Sequence, residues 1–266
     1  MINVVSELTY VTRGVERPGF YNYKPSEDEP DRAPETKRHE MVVEDARAYV
    51  ETLDLDTEGL AIVSLETKAK DLYDSEQVRA IYYPEVESLV KHYTGASKVV
   101  AFDFNVRNRA LAETRKDIQK PVTFVHNDYT IASGPQRVRD LIGGEEAESL
   151  VKKRFAVINA WKPITGPVKR SPLAVCDASS MQQSDFMETD LLYPDRSGEI
   201  YSVSHRPEHR WLYVSNMAPT EAMLLKCYDS LESGVARFTA HSAIEIPDSG
   251  DAPARESIEV RTLVFY

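Results

Sequence analysis

The chain has 266 residues, 42% of them hydrophobic and 28% charged, which is ordinary globular usage and excludes collagen, coiled coil and disorder. Its formal net charge of -11 opposes a phosphate backbone, so no nucleic-acid partner is expected. Two cysteines, Cys176 and Cys227, are too few for a disulfide framework and read as reduced buried thiols; no run approaches the roughly 20 apolar residues of a membrane helix, so no membrane partner and a cytoplasmic location are expected.

In chain order, a short β-like piece comes first, followed by a charged stretch with two prolines at 26–40 that reads as an exposed loop. Residues 44–52 and 75–93 carry helical spacing, and the apolar run 60–63 between them reads as a buried strand. From residue 98 onward the pattern changes to short β-rich runs at 99–106, 122–129, 155–161, 173–177, 211–217, 223–228, 236–244 and 257–265. One helical interruption covers 135–153, with Gly134-Pro135 as its start signal. Phe186, Met187, Leu191 and Leu192 lie in a segment of weak strand character that suits a lid or the core. The expected architecture is mainly β with bracing helices (α+β), a jelly-roll barrel of two sheets with helices on one face.

The chemistry-bearing pattern is His126-Asn127-Asp128 at the end of an apolar run. An imidazole and a carboxylate two residues apart on a strand project from one face, and one further imidazole completes a facial set for Fe(II) with three positions open. Of six histidines, His39 falls in the charged loop and His92 at the outer end of a helical segment, which suits solvated side chains. His205 and His209 flank Pro207, while His241 sits inside a late strand where a barrel wall can hold an imidazole rigidly. His241 is the expected third ligand and His209 its alternative. Beyond a turn containing Pro247, Gly250 and Pro253, the last strand opens Arg255-Glu256-Ser257. Arg255 and Ser257 share a face, and a guanidinium fork beside a hydroxyl suits a planar carboxylate such as the distal end of 2-oxoglutarate. Arg261 shares that face by parity and stands as a second candidate for the task. The plainer reading of both arginines is a surface ion pair with Glu256 or Glu259.

Seven ordered blocks carry a further signal: VHNDYT at 125–130, GPQRV at 134–138, NAWKPI at 159–164, PLAVCD at 172–177, HRW at 209–211, KCYDS at 226–230 and RESIEVR at 255–261. From about residue 99 to its end the chain resembles the fungal and bacterial iron and 2-oxoglutarate-dependent oxygenases grouped with the gibberellin desaturase, the aspergillic acid hydroxylase and a cephamycin methoxylation protein. The resemblance implies one oxygenase domain over 1–266, with 98–266 a double-stranded β-helix core and 1–97 a helical or lid portion. It implies Fe(II) on His126, Asp128 and His241, 2-oxoglutarate held chiefly by Arg255, and O2 as co-reactant. It makes Asn159 and Trp161 cavity residues, puts Tyr129 and Thr130 at the entrance beside the metal, and matches His209 to a block that faces the substrate. The implied reaction is oxidation of a small molecule of secondary metabolism by hydroxylation, desaturation or oxidative rearrangement. Two rival readings are an iron isomerase or oxidase without 2-oxoglutarate and a metal-free β-barrel binding protein. The oligomeric state stays open, a homodimer included.

Overall fold

The computed structural model describes residues 3–12, 17–26 and 28–266. In chain order the strands are β1 (Val4–Val11), β2 (Gly19–Tyr21), β3 (Thr36–Asp45), β4 (Leu60–Ser64), β5 (Lys98–Asn108), β6 (Ile118–Gln119), β7 (His126–Asn127), β8 (Phe155–Pro163), β9 (Leu173–Cys176), β10 (Phe186–Leu192), β11 (Ser197–Val203), β12 (Trp211–Tyr213), β13 (Glu221–Asp229), β14 (His241–Ala243) and β15 (Glu256–Phe265). They form a large sheet in the order β1-β3-β12-β9-β14-β7-β11-β10-β2 and a smaller one in the order β4-β13-β8-β15-β5-β6. This is the two-sheet jelly roll expected from the sequence.

The central strand β8 shows why the layers stack as they do. All nine of its residues are buried, including the polar Asn159 and Lys162, so it is a central strand covered on both faces. Phe155, Val157 and Trp161 point between the sheets, where they meet Leu225, Leu263, Val175 and Leu212. Ala156, Ile158 and Ala160 point the other way, onto a helical layer presenting Val78, Tyr82, Val86 and Val90. That layer is one amphipathic run: α1 (Ser75–Gln77) passes through a wide π turn (Val78–Tyr82) into α2 (Tyr83–Thr94). It starts where the Asp74 carboxylate accepts from the Glu76 amide and stops at Gly95, whose φ of 68° only glycine adopts at little cost.

Several expectations are corrected. Within the charged segment 26–40, residues 28–35 form no strand or helix, and 36–40 belong to β3, whose residues 36–43 pair with the whole of β1. Cross-strand pairing there overrides polar composition. Residues 44–52 are the end of β3 followed by a kinked 3-10 turn (Ala46–Thr52) rather than an α-helix. The helical interruption is two helices, α3 (Ser133–Ile142) and α4 (Gly144–Leu150), broken at Gly143 with φ 72°. The runs 122–129 and 236–244 shrink to the short strands β7 and β14. The weak segment at 186–192 is strand β10, paired with β11, which the sequence reading missed. Phe186 there packs 5.2 Å from Tyr201 and 5.5 Å from Phe238, as core rather than lid. Residues before 98 also supply strands to both sheets, β1 and β3 to the large one and β4 to the edge of the small one.

Candidate iron and oxo-acid site

The site begins with a register. β7 and β14 are neighbouring antiparallel strands in which His241 lies directly opposite His126, so both imidazoles leave the same face with ring centroids 4.4 Å apart. Asp128 follows β7 immediately, and its Oδ1 is 3.5 Å from His126 Nε2 and 3.8 Å from His241 Nε2. Donor atoms from the three side chains all lie within 4.8 Å of one another. His126 Nδ1 is 3.0 Å from the Phe124 carbonyl and His241 Nδ1 is 3.1 Å from the Thr239 carbonyl. A carbonyl only accepts, so each Nδ1 carries the proton and each Nε2 presents a lone pair to the common point. Burial, reinforced by the neighbouring His241, lowers the His126 pKa to about 3, so this imidazole is neutral at physiological pH.

Asp128 is held by the opposite sheet. On adjacent strands β8 and β15, Asn159 and Arg261 are register partners, and both donate to Asp128 Oδ2 at 2.9 Å. That leaves Oδ1 toward the two imidazoles. Burial alone would raise this carboxyl, but Arg261 and the two histidines hold it well below the usual carboxylate range. Arg261 also pairs with Asp103 at 2.9 Å and Glu259 at 3.2 Å. Arg261 thus has three carboxylates around it, and Asn159 and Arg261 together hold one oxygen of Asp128.

Arg255 is the opposite case. It is 5% exposed and donates from Nη1 to the Ser171 carbonyl at 2.8 Å, while its Nε has no partner. Its guanidinium lies 5.5 Å from the Trp161 ring centroid. Ser257 Oγ, on the same face of β15, is buried and unpartnered as well. Directly opposite Ser257 on β5 stands Arg107, whose guanidinium donates to the Lys120 carbonyl. Among the described residues no carboxylate lies within ion-pair distance of either arginine. Burial, with the charge of Arg107 adding to it, lowers the Arg255 pKa to about 9. Two unneutralised guanidiniums and an orphaned hydroxyl in a dry site form a receptor for an anion. Arg107, Trp161, Arg255 and Glu259 line one small cavity of about 20 Å³ with His126, Asp128 and His241.

Comparison with known proteins agrees with this geometry. A family model described as an oxidoreductase/YMDC permease-like domain matches residues 8–265. The hydroxylase/desaturase efuI of Hormonema carpetanum is 36% identical over 249 residues, covering 85% of this chain and 83% of that protein. The alpha-ketoglutarate-dependent dioxygenase phiK of a fungal species is 36% identical over 220 residues, covering 80% of this chain and 79% of its own. The solved structure of the iron and alpha-ketoglutarate-dependent endoperoxidase NvfI matches with a TM-score of 0.90 at 29% identity, over 99% of this chain and 98% of that one. This chain belongs to the fungal Fe(II)/2-oxoglutarate-dependent dioxygenases. It is an enzyme of that class, with Fe(II) as cofactor and 2-oxoglutarate and O2 as cosubstrates besides a small-molecule substrate.

The residues fit such a dioxygenase, since the donor set offers two imidazole lone pairs and one carboxylate oxygen, and the orphaned Arg255 Nε and Ser257 Oγ await an acceptor. Three expected substrate residues do not join them. His209 uses both ring nitrogens elsewhere, 3.2 Å from Tyr10 Oη and 3.1 Å from Asp185 Oδ2, in a cluster with Trp211. It serves neither as third ligand nor as a cavity residue. The Thr130 hydroxyl bonds Ser133 and Glu199 at the start of α3, and Tyr129 packs in the core between the sheets. Neither is among the cavity's described lining residues. Among the lining residues that the sequence reading missed, two are charged. Glu259 follows Arg255 and Ser257 in strand parity, a signal that could have found it, whereas nothing in the sequence around Arg107 sets that arginine apart. Among the described residues, no helix is long and apolar enough to cross a membrane.

Proposed function

We propose that His126, Asp128 and His241 hold the Fe(II), and that Arg255 and Ser257, with Arg107 opposite, hold the far carboxylate of 2-oxoglutarate. The observation that carries this reading is the division of labour on Asp128: one oxygen takes both Asn159 and Arg261, and the other is left beside the two Nε2 atoms. Bound Fe(II), with 2-oxoglutarate and O2, supplies the oxidant for removing hydrogen from a C–H bond. The chain's own part is to fix the donors, exclude water and place the substrate carbon. Phe124, whose ring lies 4.9 Å from His126 and 4.9 Å from Phe20, offers an apolar wall for that carbon skeleton. The substrate is a small, largely apolar intermediate of secondary metabolism. A carbon held close to the iron is hydroxylated, and one held further off is desaturated. Relatives named as hydroxylase/desaturase and endoperoxidase support this range of outcomes. The enzyme acts in the cytoplasm, a setting supported by two free buried thiols. Neither rival reading, an isomerase without the oxo acid or a metal-free binding protein, has support from the relatives.

Anaerobic addition of Fe(II) and then 2-oxoglutarate to the purified protein tests this. The expected result is a weak visible charge-transfer band that His126→Ala abolishes and Arg255→Gln shifts to much higher 2-oxoglutarate concentration. Iron uptake without a band would sink the oxo-acid assignment, and no iron uptake would sink the whole site.

A further inference from the structure

Arg255 lines two cavities. One is the small space at the donor set; the other is a pocket of about 290 Å³ bounded by Arg109, Glu113, Arg170, Ser171 and Arg255, which shares only Arg255 with the first. This volume approaches the lower end of small-molecule sites. Its charges are unbalanced. Among the described residues, Arg170 donates only to the Gly250 carbonyl, and the half-exposed Arg109 has only a loose contact with Glu245 at 3.7 Å. The one carboxylate in the wall, Glu113, is already paired with Lys120. The pocket is therefore a locally positive mouth on a chain whose net charge is -11.

We propose that this basic pocket is the port through which 2-oxoglutarate reaches its site, Arg109 and Arg170 drawing the dianion to the buried Arg255 that separates port from iron. The inference rests on the cosubstrate site proposed above and adds a route to it. The physical need is plain. An acidic protein repels a dianion at long range, and a cleft lined with one sign of charge reverses that repulsion locally and raises association rates about 10- to 1,000-fold. The partition also gives Arg255 its two faces: Nη1 is fixed to Ser171, a residue of the port wall, while Nε remains free.

The sign of the salt effect decides. If the dianion met the protein as a whole, added salt would screen repulsion and speed binding; if it enters by the basic port, salt slows binding. The experiment is anaerobic stopped-flow mixing of the Fe(II)-loaded full chain with 2-oxoglutarate, following the charge-transfer band. The wild-type association rate is expected to fall with ionic strength. Arg109→Glu with Arg170→Glu is expected to slow association at least tenfold at low salt, with the same final spectrum and dissociation rate. Lys37→Glu with Arg38→Glu, the same charge change on exposed positions of β3, serves as the control. A port variant no slower than this control overturns the proposal. Should the port variant not fold, a wild-type rate that is flat or rises with salt overturns it alone. Absence of the band in wild type is a separate result, which removes the cosubstrate site itself.

Discussion

At the scale of single residues, the site depends on side chains that never face the substrate. Asp128 has one oxygen free only because Asn159 and Arg261, 31 and 133 residues away in sequence, occupy the other. Asn159→Ala removes one of these donors without opening the core at an apolar contact. Loss of such an outer hydrogen bond to a ligand lowers metal affinity about 10- to 100-fold. Anaerobic Fe(II) or Mn(II) titration should show that drop with an unchanged melting temperature; wild-type affinity would mean the bond does not position the carboxylate. The cysteines give the converse case. Burial, followed by nearby acidic charge, pushes the Cys176 thiol up to about 12, and Cys227 is fully buried. The thiolate fraction at pH 8 is thus negligible for Cys176, so neither cysteine should react with a thiol reagent in the native protein, and both should react in denaturant. Strand parity made His126, Asp128, Arg255 and Ser257 legible from sequence. Long-range pairing decided the rest: by parity alone Arg261 is as good an anion receptor as Arg255, and only three acidic neighbours rule it out.

At the scale of elements, the strands that carry the proposed iron ligands His126 and His241 are hard to see in the sequence because they are short. β7 has two residues and β14 three. Their geometry is set by neighbours: Asn127 accepts from the Thr239 amide and donates to the carbonyls of Tyr129 and Cys227, tying both strands to β13. Thr239, whose carbonyl orients His241, is wedged in turn against Gly59, its hydroxyl donating to the carbonyl of Lys226. Gly59 has φ +83°, and a Cβ there would lie 2.1 Å from Thr239 Oγ1. Gly59→Ala therefore adds a left-handed alanine to an overpacked contact, at about 1–2 kcal/mol for the first and about 1–3 kcal/mol for the second. The expected outcome is a lower melting temperature together with weaker Fe(II) binding, because the displaced Thr239 carries the carbonyl that holds the His241 tautomer. A destabilised variant with wild-type iron affinity would show that the β14 geometry does not pass through this glycine. A glycine between an acidic turn and the apolar strand β4 gives no such warning in the sequence.

At the scale of the whole molecule, the resemblance made residues 98–266 look like a self-sufficient core, yet the structure makes residues 1–97 part of it. Trp211, 1% exposed, is paired in register with Val43 of β3, and Leu8 and Tyr10 of β1 complete the same cluster with no exposed surface. On the other sheet, Ile158, Leu224 and Val260 are fully covered by a helical layer containing Val78, Tyr82, Val86 and Val90. Removing residues 1–97 uncovers all of these faces together. Each large apolar side chain returned to water costs about 1.5–3 kcal/mol, and a domain has about 5–15 kcal/mol in total. Exposure of Trp211, Ile158, Leu224 and Val260 alone costs an amount comparable with that margin, and the unpaired edges left on β12 and β13 invite association as well. The 98–266 fragment is therefore expected to be insoluble or to lack a cooperative melting transition, although it contains all three proposed iron ligands and Arg255. A soluble fragment that melts cooperatively and binds Fe(II) would restore the boundary at 97. The expected failure would instead mean that the N-terminal strands hold the iron site together by closing the sheets on which it is built.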